Sequence, residues 1–348
     1  MRWMIYGANG YTGELLARAA RGRGLRPILA GRSEARIAPL AEQEGLPYRC
    51  FALDDVETVA EQLADVDLVI HCAGPFSKTS AAMLEACLEA HTHYLDITGE
   101  VAVFEHAHGQ NERARSAGII VCPGVGFDVI PTDCVAAKLK ELLPDATDLS
   151  LGFSTRSGLS PGTAKTTIEG LALGGRARID EQLREVPLGW KVRRIDFGQG
   201  PEWAMTIPWG DVSTAWHTTA IANIQVYLPA PRWFIWAAKA GNLARPLLGK
   251  HAVQHFLMSM VDRRVKGPGE SVRASLPTYV WGEACTRKQT VTVRIKTANV
   301  YSLTVDGALA VRDYIEAHRP APGTYTPALL CGTDLVETLP GSGRFEIS

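Results

Sequence analysis

Three glycines, Gly7, Gly10 and Gly13, punctuate the stretch GANGYTG, directly after an apolar run that ends at Tyr6 and directly before ELLARAARG. The run reads as a strand buried on both faces, and Glu14 to Arg21 as an amphipathic helix with Leu15, Leu16 and Ala19 inward. A glycine-spaced turn between two such elements is where main chain comes close to a phosphate. Gly7 allows the tight turn, Gly10 brings backbone up to a pyrophosphate, Gly13 lets the helix pack against the strand, and the helix N-terminus faces the anion. Asn9, Tyr11 and Thr12, between the glycines, are assigned to the same contact. The spacing is looser than GxGxxG, so the assignment rests on context: a strand before, a helix after, and an alternating β/α pattern beyond.

Which dinucleotide such a turn serves is decided at the end of the second strand, where an NAD site offers an acidic residue to the ribose 2′-hydroxyl. This chain reads ILAGRSEAR there. Gly31 lets the ribose approach, Arg32 and Ser33 supply donors suited to a 2′-phosphate, and Arg36 adds charge one helical turn on. NADP is therefore expected rather than NAD. Asp54, after the third strand, is placed to accept from the adenine amino group. The fourth strand, DLVIHCAGPF, ends in a turn of small residues (Cys72, Ala73, Gly74, Pro75), which the carboxyl-end rule puts beside the nicotinamide ribose. The sixth ends in CPGVGFDVIPTD: Gly124 and Gly126 keep side chains out of the space above the sheet, and Phe127 is expected to cover the nicotinamide face. Asp128, Thr132 and Asp133 read mainly as helix caps.

A nicotinamide carries the hydride, so the protein must position a substrate and manage one proton. No tyrosine has a lysine four residues later, which argues against the short-chain dehydrogenase acid/base arrangement. The best candidates lie in HYLDITGE. Asp96, near the carboxyl end of the fifth strand, is placed to orient substrate or act as acid/base, and Glu100 to do so from the next helix start. A turn-capping aspartate and a helix N-terminal glutamate are the competing readings. Lys165 and Thr163, at a loop-to-helix start, are expected to face the pocket. The HxH pairs at His91/His93 and His106/His108 splay apart in a helix and lack further ligands, so no metal is expected.

The elements that must hold these groups follow from periodicity. Strands are expected at Arg2–Tyr6, Arg26–Ala30, Tyr48–Ala52, Asp67–Cys72, His93–Ile97 and Gly118–Cys122. Helices are expected at Ser33–Glu44, Val56–Ala64, Thr79–Ala90 and Val101–Ser116. Right-handed crossovers make them a doubly wound parallel sheet. After Pro131 the texture changes to one helix, Thr132–Leu142, and then polar-apolar alternation at 148–155, 220–228 and 289–300, the mark of an antiparallel sheet.

The chain has 348 residues, 36 basic against 37 acidic, and a net charge of −1, so a nucleic-acid partner is not expected. Its seven cysteines form no CxxC pair and read as buried thiols in a reducing, cytoplasmic setting. No signal peptide is seen at the N-terminus, and no apolar run reaches a membrane span.

GANGYTG, AGRS, DLVIHCAGPF, AHTHYLDITGE and VGFDVIPTD stand in one order with compatible spacing. Together they resemble the saccharopine dehydrogenase-like NADP-binding family, which includes lipid-linked enoyl reductases and saccharopine reductase. The likeness is strong over the first 135 residues and looser beyond, through SPGTAKT, YSLTVDGALAVRDY and TPALLCG. It implies a hydride-transferring fold with the cofactor across the sheet, and a second domain that builds the substrate pocket and often a dimer sheet. One departure is Ser160-Pro161-Gly162, where relatives commonly carry a glycine pair; Pro161 lacks an amide donor and suits a first helical turn instead.

The expected architecture is α/β: an N-terminal Rossmann doubly wound parallel sheet over residues 1–130, then an α+β domain over 131–348 on a mixed or antiparallel sheet, with a C-terminal helix able to pack back on the first domain. The expected function is an NADP-dependent oxidoreductase acting on a small-molecule C=N, C=C or C=O bond, as a homodimer. A catalytically silent NADP sensor acting through a protein partner is the alternative. The stretch 226–250, rich in Trp233, Phe234 and Trp236 with Lys239, Arg245 and Lys250 nearby, suits an interfacial helix on a lipid surface, and equally a core or dimer-contact helix.

Overall fold

A computed structural model describes residues 1–157, 174–244, 250, 253, 259 and 276–348. The chain divides into two compact units, Met1–Ile130 with Tyr301–Cys331, and Pro131–Val300 with Gly332–Ser348. The segment Tyr301–Cys331, grouped above with residues 131–348, thus joins the first unit.

In the first unit every expected strand is present: β1 (Trp3–Tyr6), β2 (Ile28–Gly31), β3 (Tyr48–Cys50), β4 (Leu68–His71), β5 (His93–Asp96) and β6 (Ile120–Cys122). Their spatial order is β6-β5-β4-β1-β2-β3, the doubly wound order, and all pairings are parallel. A two-residue strand, Gly323–Thr324, adds a seventh member beside β6. Every residue of β1, β2 and β4 is buried, as strands covered by helices on both faces must be. Register aligns the carboxyl ends: Tyr6 lies opposite Ala30 and His71, and His71 opposite Asp96. The loops after β1, β2, β4 and β5 therefore open side by side along one edge, where β1 and β4 form the switch point at which such sheets take ligands.

The crossover helices are α1 (Tyr11–Gly22), α2 (Glu34–Glu44), α3 (Val56–Leu63), α4 (Phe76–Glu89), α5 (Val101–Gly109) and α6 (Asn111–Ala117). Three differ from expectation. α1 begins at Tyr11 rather than Glu14. α4 begins at Phe76 rather than Thr79, and the single helix expected over Val101–Ser116 breaks after Gly109 into α5 and α6.

The second unit holds α7 (Ile130–Leu142) from Pro131 onward and a nine-stranded mixed sheet. Its strands are β7 (Asp148–Thr155), β8 (Gly175–Ile179), β9 (Gln182–Val186), β10 (Val192–Asp196), β11 (Pro201–Ile207), β12 (Asn223–Pro229), β13 (Thr278–Cys285) and β14 (Thr290–Thr297), with Glu346–Ile347 at one edge. β7 and β12 pair in parallel and the other ladders are antiparallel. α7 lies close on the sheet: a Cβ on Gly282 would meet Leu139 Cδ1 at 2.8 Å. Two further helices, α8 (Asp211–Thr219) and α9 (Arg232–Gly241), belong to this unit, and α10 (Val300–His318) leads back into the first. Among the described residues no helix is long and apolar enough to cross a membrane.

Candidate dinucleotide site

The turn after β1 is built by its glycines. Gly7 has φ of +82°, which a side chain would strain, and a Cβ there would come 2.7 Å from Ala73 N. Its amide donates to Ala30 O at 2.7 Å, and the Gly10 amide to Gly7 O at 3.0 Å, closing the turn. A Cβ on Gly13 would lie 2.8 Å from Ala8 Cα, so Gly13 is what lets α1 meet the strand exit. Gly10 differs. Its φ of −83° suits any residue, and a Cβ would meet only Gly7 O, at 3.2 Å; the space above it is open. Asn9 leans over the end of β2, its Oδ1 2.9 Å from where a Cβ on Gly31 would stand. Tyr11 packs edge-on against Tyr301, ring centroids 4.9 Å apart, and so braces α1 on α10.

The starts of α1 to α5 along this edge fall into two classes. At α3 the Asp55 carboxylate accepts from Thr58 N at 3.0 Å. At α4 the cap position is Pro75, and the acceptor comes from elsewhere: Glu100 takes the amides of Phe76 at 2.9 Å and Ser77 at 2.7 Å. At α1, α2 and α5 the residue in the cap position makes no side-chain cap bond, although Ser33 holds that position at α2 and Glu100 at α5. Uncapped N-terminal amides carry partial positive charge and suit an anion. Of these, the α1 end stands at the glycine turn and the α2 end at Arg32.

Arg32, exposed at the mouth of α2, makes no ion pair among the described residues. Its charge acts on Tyr6. Burial pushes that phenol up to about 12, Arg32 pulls it down, and Cys50 and Asp54 raise it. Arg32 and Asp54 thus both lie within electrostatic reach of the ends of β1 and β3, Asp54 exposed and Asp55 committed to its cap.

On the other side of the switch point, Cys72, Ala73 and Pro75 are partly exposed and Gly74 is open. Burial raises the Cys72 thiol far above its usual range, so it contributes surface rather than a thiolate. His71, unremarked in the sequence reading, is buried and held neutral, its pKa lowered to about 3 by burial. Thr79 donates its hydroxyl to Ala73 O at 2.7 Å, so His71 Nε2, 3.0 Å from Thr79 Oγ1, must be the donor. Nδ1 is then a bare acceptor in the interior.

Asp96 is buried at the end of β5. Its carboxylate accepts from Tyr94 OH at 2.6 Å, Thr98 N at 3.0 Å and Gly124 N at 2.8 Å, and its carbonyl from Val125 N at 2.7 Å. So occupied, it ties the exits of β5 and β6 together. Burial raises it from 3.8 to about 6, against the three hydrogen bonds that lower it. Ionising it therefore costs folded stability as pH rises from about 4 through about 6, and the Tyr94 bond offsets part of that cost. Tyr94→Phe should destabilise the protein by about 1–3 kcal/mol, more at about pH 8 than at about pH 5, read from unfolding midpoints across pH. A loss that does not change with pH would contradict this account.

Glu100, the second sequence candidate, spends its carboxylate on the α4 cap described above. Phe127 is buried, its amide donating to Thr304 Oγ1 at 3.0 Å, and Gly124 has φ of +76° with no room for a side chain beside Val129 and Phe104. Asp128 stands against Gly99, its Oδ2 2.8 Å from where a Cβ would be. It keeps part of its surface open. Burial nevertheless pushes its carboxyl up to about 7, the value of a group that exchanges protons at neutrality. Lys165 and Thr163 lie outside the described residues. Among the described residues no three His, Cys, Asp or Glu side chains gather as metal ligands.

Residues 3–122 match the saccharopine dehydrogenase NADP-binding domain. A trans-acting enoyl reductase of Mycobacterium bovis is 27% identical over 214 residues, 57% of this chain and 50% of that protein. A lipid droplet localized protein of Caenorhabditis elegans is 28% identical over 152 residues, 40% of this chain and 36% of its own length. The chain spans half or less of each. Saccharopine dehydrogenase (L-Glu forming) of Saccharomyces cerevisiae shares the fold across all of this chain and 99% of its own, with a TM-score of 0.68 at 10% identity.

Proposed function

Because residues 3–122 form a saccharopine dehydrogenase NADP-binding domain, we propose that the protein moves a hydride between NADPH and a small-molecule C=N, C=C or C=O bond. The observation that carries the reading is that α1 and α2 start without a side-chain cap beside Gly10 and Arg32, whereas α3 and α4 are closed by Asp55 and Glu100 and α5, which also lacks such a cap, starts at the acidic Glu100. In it the α1 amides hold the pyrophosphate, Arg32 and Ser33 the 2′-phosphate, Asp54 the adenine, and Cys72 to Pro75 the nicotinamide ribose. When bound, the nicotinamide supplies the hydride. Asp128, partly exposed at the exit of β6 against Gly99 and with its carboxyl raised by burial to about 7, is the group we assign to the accompanying proton. The name of the mycobacterial relative favours C=C among the three bonds.

The test is loss of NADPH absorbance with a panel of enones, imines and ketones. Turnover is expected with at least one class, and Asp128→Asn should lower kcat by about 10²–10⁴-fold while NADPH affinity holds. The engagement of Asp96 and Glu100 also favours a second reading, a dinucleotide sensor. Tight NADPH binding, no turnover across the panel and a co-purifying partner would establish it instead.

A further inference from the structure

The helix α9, in the second unit, carries its large side chains on the wrong face for a core. Ile235 is its buried residue, with Ala238 and Asn242 following at helical spacing on the inward side. Asn242 fixes that side, accepting from Leu188 N at 2.8 Å and donating to Leu188 O at 3.1 Å. The outward stripe is Trp233 and Trp236, both 71% exposed, continued by Leu243 at 90% in the 3-10 turn Asn242–Ala244 that follows, with Phe234 beside them at 44%. A tryptophan offers roughly 150–250 Å² of mostly apolar surface, and folded chains seldom leave two adjacent ones in water without a use for them.

Charge says what covers this face. Between Asp211 and Asp262 the sequence has no Asp or Glu at all, although acidic and basic residues are balanced over the whole chain. Along the helix the charges are Arg232 and Lys239, both exposed, with Arg232 held over the Trp203 ring at 5.5 Å. A protein partner or a second copy would tolerate mixed charge at the rim. An exposed Trp/Phe/Leu stripe on a helix whose own charges are all cationic, in a stretch of sequence without acids, is the composition of an interfacial helix on an anionic lipid surface.

We propose that α9 docks the protein on a lipid–water interface bearing anionic headgroups, Trp233, Trp236 and Leu243 entering the headgroup–acyl boundary and Arg232 and Lys239 meeting the headgroups. This rests on the second unit alone and is independent of what the first unit binds.

The experiment is flotation of the whole chain with phosphatidylcholine vesicles, with and without phosphatidylglycerol, alongside gel filtration. The protein should float with the mixed vesicles at low salt. Replacing both tryptophans (Trp233→Ser with Trp236→Ser) should cut the bound fraction more than about tenfold, and Arg232→Ser with Lys239→Ser should erase the preference for phosphatidylglycerol. All four side chains are exposed, so the variants should keep the parental unfolding midpoint and NADPH affinity. Protein left at the bottom of the gradient, or a tryptophan variant that floats like the parent, would overturn the proposal. So would a dimer that fails to float and that the tryptophan variant converts to monomer, because the face would then belong to a second copy.

Discussion

Gly10→Val should abolish binding of both NADPH and NADH while leaving the fold intact. The backbone at Gly10 is extended, at φ −83° and ψ 165°, a conformation that any residue adopts, and a side chain there asks only the Gly7 carbonyl to give by a few tenths of an ångström. Its Cβ would touch only Gly7 O, at 3.2 Å, and the extra methyls would point into the open space over the α1 amides. The helix has no side-chain cap to lose, so the stability cost is that of a poor cap residue, about 0.5–1 kcal/mol. The same branched side chain occupies the volume a diphosphate needs to reach main-chain donors, and affinity should fall more than about hundredfold, or some 2.7 kcal/mol. Gly13→Ala is the contrasting variant. Its Cβ would stand 2.8 Å from Ala8 Cα, a side chain against main chain that cannot rotate away, so α1 must move off the strand exit and stability falls by about 1–3 kcal/mol or more. Calorimetric titration paired with thermal unfolding separates the two. A Gly10→Val protein that still binds either dinucleotide with parental affinity would show that the first turn is not the pyrophosphate cradle.

The contrast between these glycines also shows where sequence reading works. Strands buried on both faces announce themselves as apolar runs, which is why each of β1 to β6 overlaps its expected stretch, β2 running one residue past it to Gly31. Elements set by long-range contacts do not. The start of α4 is moved three residues upstream by Glu100, which is 24 residues from the amide it caps, and nothing local to Pro75 announces that acceptor. The hairpin β8–β9 turns through Asp180 and Glu181, both left-handed at φ 49° and 65°, without the Asn-Gly or Asp-Gly pair that marks such a turn in sequence. The strand Gly323–Thr324 is two residues long amid prolines and owes its existence to the edge of β6. The turn glycines Gly7 and Gly13 are legible because their roles are local backbone. Asp96 and Glu100 were legible as carboxylates near strand ends, but their hydrogen-bond partners, Gly124 across the sheet edge and the α4 amides, come from other loops. His71 was invisible, since its neutrality comes from burial alone.

Arg32→Ala should separate the two dinucleotides. Arg32 is exposed beside the uncapped N-terminus of α2, with Ser33 at the cap position, and its charge is felt at Tyr6 near the end of β1. A guanidinium there presents forked donors to a phosphate carrying nearly two negative charges, whereas NADH offers only a hydroxyl. Losing one charge-assisted contact of about 1.5–3 kcal/mol weakens NADPH roughly 10- to 150-fold. NADH, which makes no such contact, should change by less than about threefold, on the scale of an ordinary surface substitution. The NADPH affinity of the parent should also fall steeply with added salt, and the variant's less so, since an exposed ion contact is screened over about 10 Å at 0.1 M ionic strength. Arg36, exposed one turn on, provides the internal comparison: farther from the helix end, its removal should cost less than that of Arg32. Titrating both dinucleotides into parent, Arg32→Ala and Arg36→Ala measures all of this in one series. Equal losses for NADPH and NADH in Arg32→Ala would mean that the residue holds the shared part of the cofactor, and the 2′-phosphate would then need another partner at the α2 end.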